Sequence, residues 1–525
     1  MQILRNGKML FSMPGANALA VDRGYILAAG SDEEILNLAT AETPQIDLNG
    51  LSVLPGLTDA HIHLELYGES LQIENCDTPT RAACIERVRQ KAISTSGSAW
   101  IKGHGWNQNH WSEGYGTALE LDQVSGNHPV FLTDVSLHSA WVNSQALQIA
   151  GISASTPDPE GGRIQRDVRN NPTGMLFENA VALVESKIPP TTPDQRKQNL
   201  YAAQQKLLEF GITSVHDFDR MPCFQTLQEL HEEKDLLLRV VKNLPVDQLP
   251  AIIEAGLRPG FGSDHLRIGS IKCFADGALG PQTAAMLEPY ELDSANRGTL
   301  LLTAAEILET GIQAAINGFS LAVHAIGDRA TQEVLHGFDL LRKYETEHGL
   351  THPRHRIEHL QLLHPANLGR AAALRITASM QPVHLYNDME TANRHWGSRC
   401  RYAFPLASLL SNGTKLIFGS DAPVESPNPF WGIHAAVARC SRGKDPSEAA
   451  WIPKERITVM EALQGYVHVP HWQAGQDHTL GRLEAGYKAD LVVLDHDPLT
   501  FPIDQLHLIR PCGVMVDGKW VYHNW

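Results

Sequence analysis

The sequence predicts an α/β fold: a (β/α)8 TIM-like barrel, a small β-sandwich domain built from both termini, and a large insertion after the first barrel strand. Three observations carry this. Eight short apolar runs alternate with helical segments through the middle of the chain. Strand-rich segments with turn signals occupy both ends. One interval between successive apolar runs is far too long for a single β/α unit.

The N-terminal segment contains QILRNGKML and LAVDRGYILAAG, with turn signals at Asn6-Gly7 and Arg23-Gly24. The C-terminal segment contains GYKADLVVLDHD and CGVMVDGKWVYHNW, with a turn at Asp517-Gly518. Residues 1–52 and 478–525 are therefore assigned to one composite β-domain, since chain termini commonly lie close together. Between them come LSVLPGLTDAHIH and then runs at 211–218, 236–242, 266–276, 319–328, 354–361, 375–382 and 414–423. Segments such as RKQNLYAAQQKLLEF and ATQEVLHGFDLLRKYE supply the intervening helices. The barrel is assigned to 53–65 and 196–477.

His63 and His216 stand 153 positions apart, where one β/α unit takes roughly 30 residues. Residues 66–195 are thus an insertion, rich in Gly, Asn, Trp and Pro. Loops at this end of a barrel strand face the active site, so the insertion is expected to cap the pocket. The plainer alternative is a peripheral decoration or an oligomer contact.

The formal net charge of −16 argues against a nucleic-acid partner, because such a chain repels phosphate backbones. No stretch is apolar for the 18 or so residues of a membrane span. The seven cysteines form no CxxC pair, and the N-terminus lacks a secretory pattern, so a reducing, cytoplasmic setting is expected. The expected partner is a small molecule, and a homo-oligomer is compatible with the sequence.

The 25 histidines direct attention to metal chemistry. His61 and His63 end the first apolar run, two positions apart, so both imidazoles share one strand face. Alone, an H-x-H pair says little. Lys272 lies near the end of the fourth run, His324 ends the fifth, His359 the sixth, and Asp421 the eighth. Each falls where barrel catalysts sit, at the end of a different strand. A lysine beside a metal cluster can take up CO2 as a carbamate that bridges two cations, with a structural lysine, or Asp276 as the anionic ligand, as the competing readings. Nitrogen and carboxylate ligands without thiolate suit a divalent metal, zinc first, one or two per chain. Asp421 is the expected proton carrier. Substrate contacts are expected from Trp106, Asn107, His138, His216 and Gln381, while His384 and Arg356 could equally be packing residues.

LPGLTDAHIHL, SIKCFADGALG, LAVHAIGDRA, HRIEHLQ, SMQPVH and FGSDAPV together resemble the amidohydrolase superfamily, specifically the YtcJ-like amidohydrolase 3 family. LHSAWVNSQAL, GGRIQRD and PTGMLFENA match its inserted region, and LGRLEAGYKADLVVLD its C-terminal signature. The resemblance implies His61 and His63 as first-strand ligands, Lys272 as a carboxylated bridging lysine, His324 and His359 as ligands of a second metal, and Asp421 as the catalytic aspartate. Pro281 departs from the pattern, which has a small or polar residue there. The implied activity is hydrolysis of a non-peptide C–N bond, as in N-substituted formamides. Hydrolysis of cyclic amides, imides, esters or lactones by the same site, and a non-catalytic metal-binding regulatory role, are the alternatives.

Overall fold

The computed structural model describes residues 1–524; Trp525, the last residue of the expected C-terminal segment, lies outside the described residues. Eight parallel strands form the central sheet: β1 (Leu57–Ile62), β2 (Ile212–Asp217), β3 (Arg239–Pro245), β4 (Leu266–Phe274), β5 (Leu321–Ala325), β6 (Arg356–His359), β7 (Thr377–Met380) and β8 (Leu416–Phe418). They are ordered β1 to β8 without interruption, and each neighbouring pair is parallel. Every residue of β1, β2, β5, β6, β7 and β8 is buried, as expected for parallel strands covered on both sides. The chain has the (β/α)8 barrel fold with additional sheets.

The barrel closes between the end of β1 and the segment just beyond β8. Asp421 N donates to His61 O (2.7 Å) and His63 N to Ala422 O (3.0 Å). The Asp59 carboxylate accepts Ser420 N (3.1 Å) and the Ser420 hydroxyl (2.5 Å). Gly419 makes this seam possible, since a Cβ there would stand 2.4 Å from His61 N and 2.7 Å from Asp59 Oδ1.

Helices pack outside the strands through narrow apolar stripes. In Asp328–Glu347 the buried Val334, Leu335, Phe338 and Leu341 recur at helical spacing. The helix Pro193–Glu209, which leads into β2, opens with a capping box between Thr192 and Gln195 and a proline in its first turn.

The two ends of the chain meet in a five-stranded sheet, where Ser52–Pro55 pairs antiparallel with Leu491–Leu494 and Pro511–Val516 completes the centre. Side-chain alternation explains its position. Val492, Leu494 and Val514 join the barrel's apolar core, whereas Leu491, Val493 and Met515 pack with Leu4, Leu19 and Val21 of the four-stranded N-terminal sheet. Arg239 on β3 adds a polar tie, gripping both carboxylate oxygens of Asp490 and also Asp517.

Between β1 and β2 runs a six-stranded sheet ordered Gly162–Arg166, Pro172–Glu178, Ser139–Val142, Val130–Asp134, Ile101–Trp106, Glu74–Asn75. It has its own aromatic core of Trp106, Trp111 and Trp141. It reaches the barrel mouth at two points: Thr283 Oγ1 donates to Glu178, and His104 Nε2 donates to the Pro423 carbonyl (3.0 Å). No helix among the described residues is long and apolar enough to cross a membrane.

Candidate metal centre

At the C-terminal mouth of the barrel three imidazoles surround one carboxylate. Asp421 Oδ1 lies 3.3 Å from His61 Nε2 and 3.4 Å from His63 Nε2, and Asp421 Oδ2 lies 4.0 Å from His359 Nδ1. Donor atoms of His61, His359 and Asp421 all fall within 4.8 Å of one another. Two atoms each ~2.0–2.1 Å from a shared tetrahedral cation would stand roughly 3.3 Å apart, so this spacing is that of co-ligands. His359 Nδ1 is buried with no hydrogen-bond partner, a costly state unless the nitrogen has a ligand to bind. The residues therefore fit a divalent metal.

His324 ends β5 beside His359, ring centroids 4.5 Å apart. Its Nε2 donates to the Gly277 carbonyl (3.0 Å), which leaves Nδ1 as the free nitrogen. Burial holds both His324 and His359 well below the usual imidazole range, in the neutral form a metal requires. Lys272 is 4% exposed and packs between the Phe218 and Phe274 rings, its Nζ 4.8 and 4.7 Å from their centroids. Burial pushes this amine down to about 8. Asp276 Oδ1 lies 3.5 Å from His324 Nε2, but its carboxylate is engaged by the backbone N–H groups of Ala285, Ile326 and Gly327, and burial raises it to about 7.

Two carboxylates, not foreseen from the sequence, orient the first histidine pair. Glu358 Oε2 accepts His61 Nδ1–H at 2.5 Å, which turns Nε2 toward Asp421. Asp219 Oδ1 stands 3.3 Å from His63 Nδ1. Burial opposes charge on His63, but Asp219 and Asp421 together raise it to about 9. Burial also opposes charge on Asp421, yet His61, His63 and His359 hold it well below the carboxylate range. Asp217, Asp219 and Cys223 also cluster, but there Lys242 already supplies the cation, its ammonium donating to Asp217.

Above the centre lies a cavity of about 70 Å³ whose wall includes His324, His359 and Asp421. Asn107 and His138 from the insertion line it, as does His384. Ala278, Leu279 and Gly280 complete one side, immediately before Pro281. Three expected substrate contacts are placed elsewhere. Trp106 is 1% exposed, donates Nε1–H to Leu132 O (2.8 Å) and stacks on Trp111, so it belongs to the insertion's core. His216 lies inside the barrel, where its Nδ1 accepts from Arg356 Nη1 (2.9 Å). Gln381 is 1% exposed, and its amide turns back to Ser379 O (3.4 Å). In each case a strand-end position that reads like a pocket residue is turned inward by a backbone or interior partner.

A family model described as the amidohydrolase family matches residues 45–522. The chain belongs to the amidohydrolase family. Curated relatives match it over most of their own length. Protein LONG AFTER FAR-RED 3 of Arabidopsis thaliana is 32% identical over 92% of this chain and 84% of its own length. The putative amidohydrolase YtcJ of Bacillus subtilis is 30% identical over the whole of both chains. The N-substituted formamide deformylase of Arthrobacter pascens is 28% identical over 97% of this chain and 95% of its own. Among solved structures, a metal-dependent hydrolase from Pyrococcus furiosus superposes with a TM-score of 0.74 at 30% identity, covering 95% of this chain and all of that one. For this amidohydrolase, the resemblance expected from the motifs and the fold expected from the apolar runs both hold.

Proposed function

We propose that this amidohydrolase cleaves a non-peptide C–N bond, an amide or formamide, in a small molecule. The observation that carries the reading is the convergence of His61, His63 and His359 on the Asp421 carboxylate beneath the cavity. The likeness to N-substituted formamide deformylase, nearly end to end, supports the bond type.

His61, His63, His324, His359, Asp421 and Lys272 would hold one or two divalent ions, and zinc suits these nitrogen and carboxylate donors. A metal bound there would lower the pKa of water towards ~7 and polarise the substrate carbonyl. The chain's own residues do the rest. Asp421, 8% exposed at the cavity floor, accepts the proton of the attacking water and delivers it to the departing nitrogen. Glu358 and Asp219 fix the His61 and His63 rings, so no reorientation accompanies the reaction. Lys272, buried between two phenyl rings and readily neutral, is suited to attack CO2 through Nζ, lose a proton and become a carbamate anion. The seven cysteines are all free, which suits a reducing cytoplasmic setting.

Metal content per chain, measured by plasma mass spectrometry on protein prepared without chelator and with bicarbonate, tests the centre. The expected result is one to two metals per chain and hydrolysis of some member of a formamide and amide panel. Asp421→Ala should abolish that hydrolysis with the fold retained. Failure to retain any metal after zinc or manganese is supplied would overturn the reading.

A further inference from the structure

One part of the cavity wall is built of hydrogen-bond acceptors. Asp388, on the helix Leu385–Trp396, and Glu425, in the segment after β8, both line it together with Gln361. Asp388 Oδ2 accepts the Gln361 amide (2.8 Å), and Glu425 Oε1 accepts the Asn387 amide. Gln361 is only 2% exposed, and its Oε1 has no partner. Among the described residues, no lysine or arginine lines the cavity. Arg442, the cation felt at Glu425, is stacked 3.4 Å over the Trp431 ring. Burial without a close cation pushes Asp388 up to about 7 and Glu425 up to about 8.

Two carboxylates and a carbonyl oxygen without a partner, on three residues that line one small space, call for a ligand made of donors. A primary ammonium has three N–H donors and no acceptor. An amidinium or guanidinium presents its donors as a rigid planar fork suited to a single carboxylate, whereas acceptors on three separate residues suit the divergent N–H groups of an ammonium. An ammonium bound between Asp388 and Glu425 would favour their ionised forms, whereas an anion placed there would hold both protonated. The overall charge of −16 would also favour approach of cations.

The separation from the metal centre is one imidazole wide. Gln361 Nε2 lies 3.5 Å from His384 Nδ1, and His384 Nε2 lies 3.2 Å from the carbonyl of Ser420, the neighbour of Asp421. We propose that Asp388, Glu425 and Gln361 form a subsite for a primary ammonium group, so that the substrate is an amide or formamide carrying an aliphatic amine a few bonds from the scissile carbonyl. This rests on the hydrolase reading of the metal centre for the reaction, but the binding of the amine can be measured without it.

The first measurement is calorimetric titration of the metal-loaded full chain with n-butylammonium, and with n-butanol as the neutral counterpart. The ammonium should bind and butanol should not. Asp388→Asn and Glu425→Gln should each weaken ammonium binding roughly ten- to hundredfold, the usual scale for a charge-assisted hydrogen bond. Metal content and thermal midpoint are checked on the same preparations. The second measurement compares N-formyl-1,4-diaminobutane with N-formylpentylamine. The wild type should favour the amine by tenfold or more in kcat/KM, and Asp388→Asn should bring that ratio close to one. Ammonium that does not bind the wild type, or binds both variants as tightly, overturns the proposal. So does equal cleavage of the two formamides by the wild type, which leaves the hydrolase reading standing and needs no variant to fold. Ammonium binding that is lost in the variants, with neither formamide cleaved, supports the subsite and counts against the C–N bond assignment instead.

Discussion

Glu358→Gln is the substitution that most directly tests how the histidine pair is held. The side chain is fully buried, with Oε2 accepting His61 Nδ1–H at 2.5 Å and Arg356 Nη2–H at 2.9 Å. Its other oxygen is ion-paired with Arg356 Nε. A glutamine keeps the shape but has one acceptor where two are needed, and its NH2 must face a donor. Losing an orienting carboxylate typically costs ten- to hundredfold in metal affinity, or about 1.4–2.8 kcal/mol. Leaving a buried charge without its counter-charge costs about 3–5 kcal/mol. Arg356 keeps Ala60 O (2.6 Å), Ser379 Oγ (2.7 Å) and His216 Nδ1 (2.9 Å), so the stability loss should lie near the bottom of that range. Zinc affinity would be read by competition with a chromophoric chelator, and stability by urea unfolding of the chelator-treated protein. A Glu358→Gln protein that unfolds more easily yet binds zinc within twofold of the wild type would show that Glu358 packs the barrel and does not orient His61.

Lys272→Met should lower the metal content by about one ion per chain, measured by mass spectrometry in bicarbonate buffer; unchanged stoichiometry would count against a bridging role. Gly419→Ala should cost about 1–3 kcal/mol and loosen metal binding, because the new Cβ would press on His61 N and Asp59 at the β1–β8 seam. Arg239→Leu should destabilise the fold by about 3–5 kcal/mol in urea unfolding, since Arg239 and Asp490 are a buried pair joining β3 to the C-terminal strand. The linked Asp517 gives a pH signature. Burial would raise its carboxyl, but His265 and Arg239 hold it far below the usual range. Its contribution is therefore complete above the ordinary carboxylate pKa of ~3.9 and is lost as pH falls below it. Asp517→Asn should flatten the acid limb of the stability curve relative to the wild type.

The barrel was legible in the sequence because parallel strands buried on both sides are written as continuous apolar runs: seven of the eight runs contain a whole barrel strand, and the run 236–242 overlaps the first part of β3. The convergence of His61, His63 and His359 on Asp421 was legible for a related reason: a polar residue ending such a run has little to do in a core. Trp106 misled because a tryptophan beside a glycine-rich loop resembles a pocket wall, whereas three tryptophans within one sheet make a core of their own. His216 misled because strand-end histidines divide between the mouth and the interior, and only Arg356, from β6, decides which.

Glu358 and Asp219 escaped notice for a more general reason. Glu358 lies inside a motif that was read, immediately before His359, and Asp219 stands just past the run 211–218, three positions after His216. Neither serves its sequence neighbour. Glu358 crosses from β6 to His61 on β1, and Asp219 reaches from beyond β2 to His63 beyond β1. Strand alternation makes this necessary, because consecutive side chains point to opposite faces. A carboxylate immediately before a ligand cannot share the ligand's direction and must meet a ring from another strand. In a closed barrel that other strand need not be adjacent in the sheet, as the Glu358–His61 pair shows. The candidate ligands are thus a property of strand ends, readable one strand at a time. Their orienting partners come from the assembled sheet: Asp219 reaches His63 across the paired β1 and β2, and Glu358 reaches His61 across the barrel from β6.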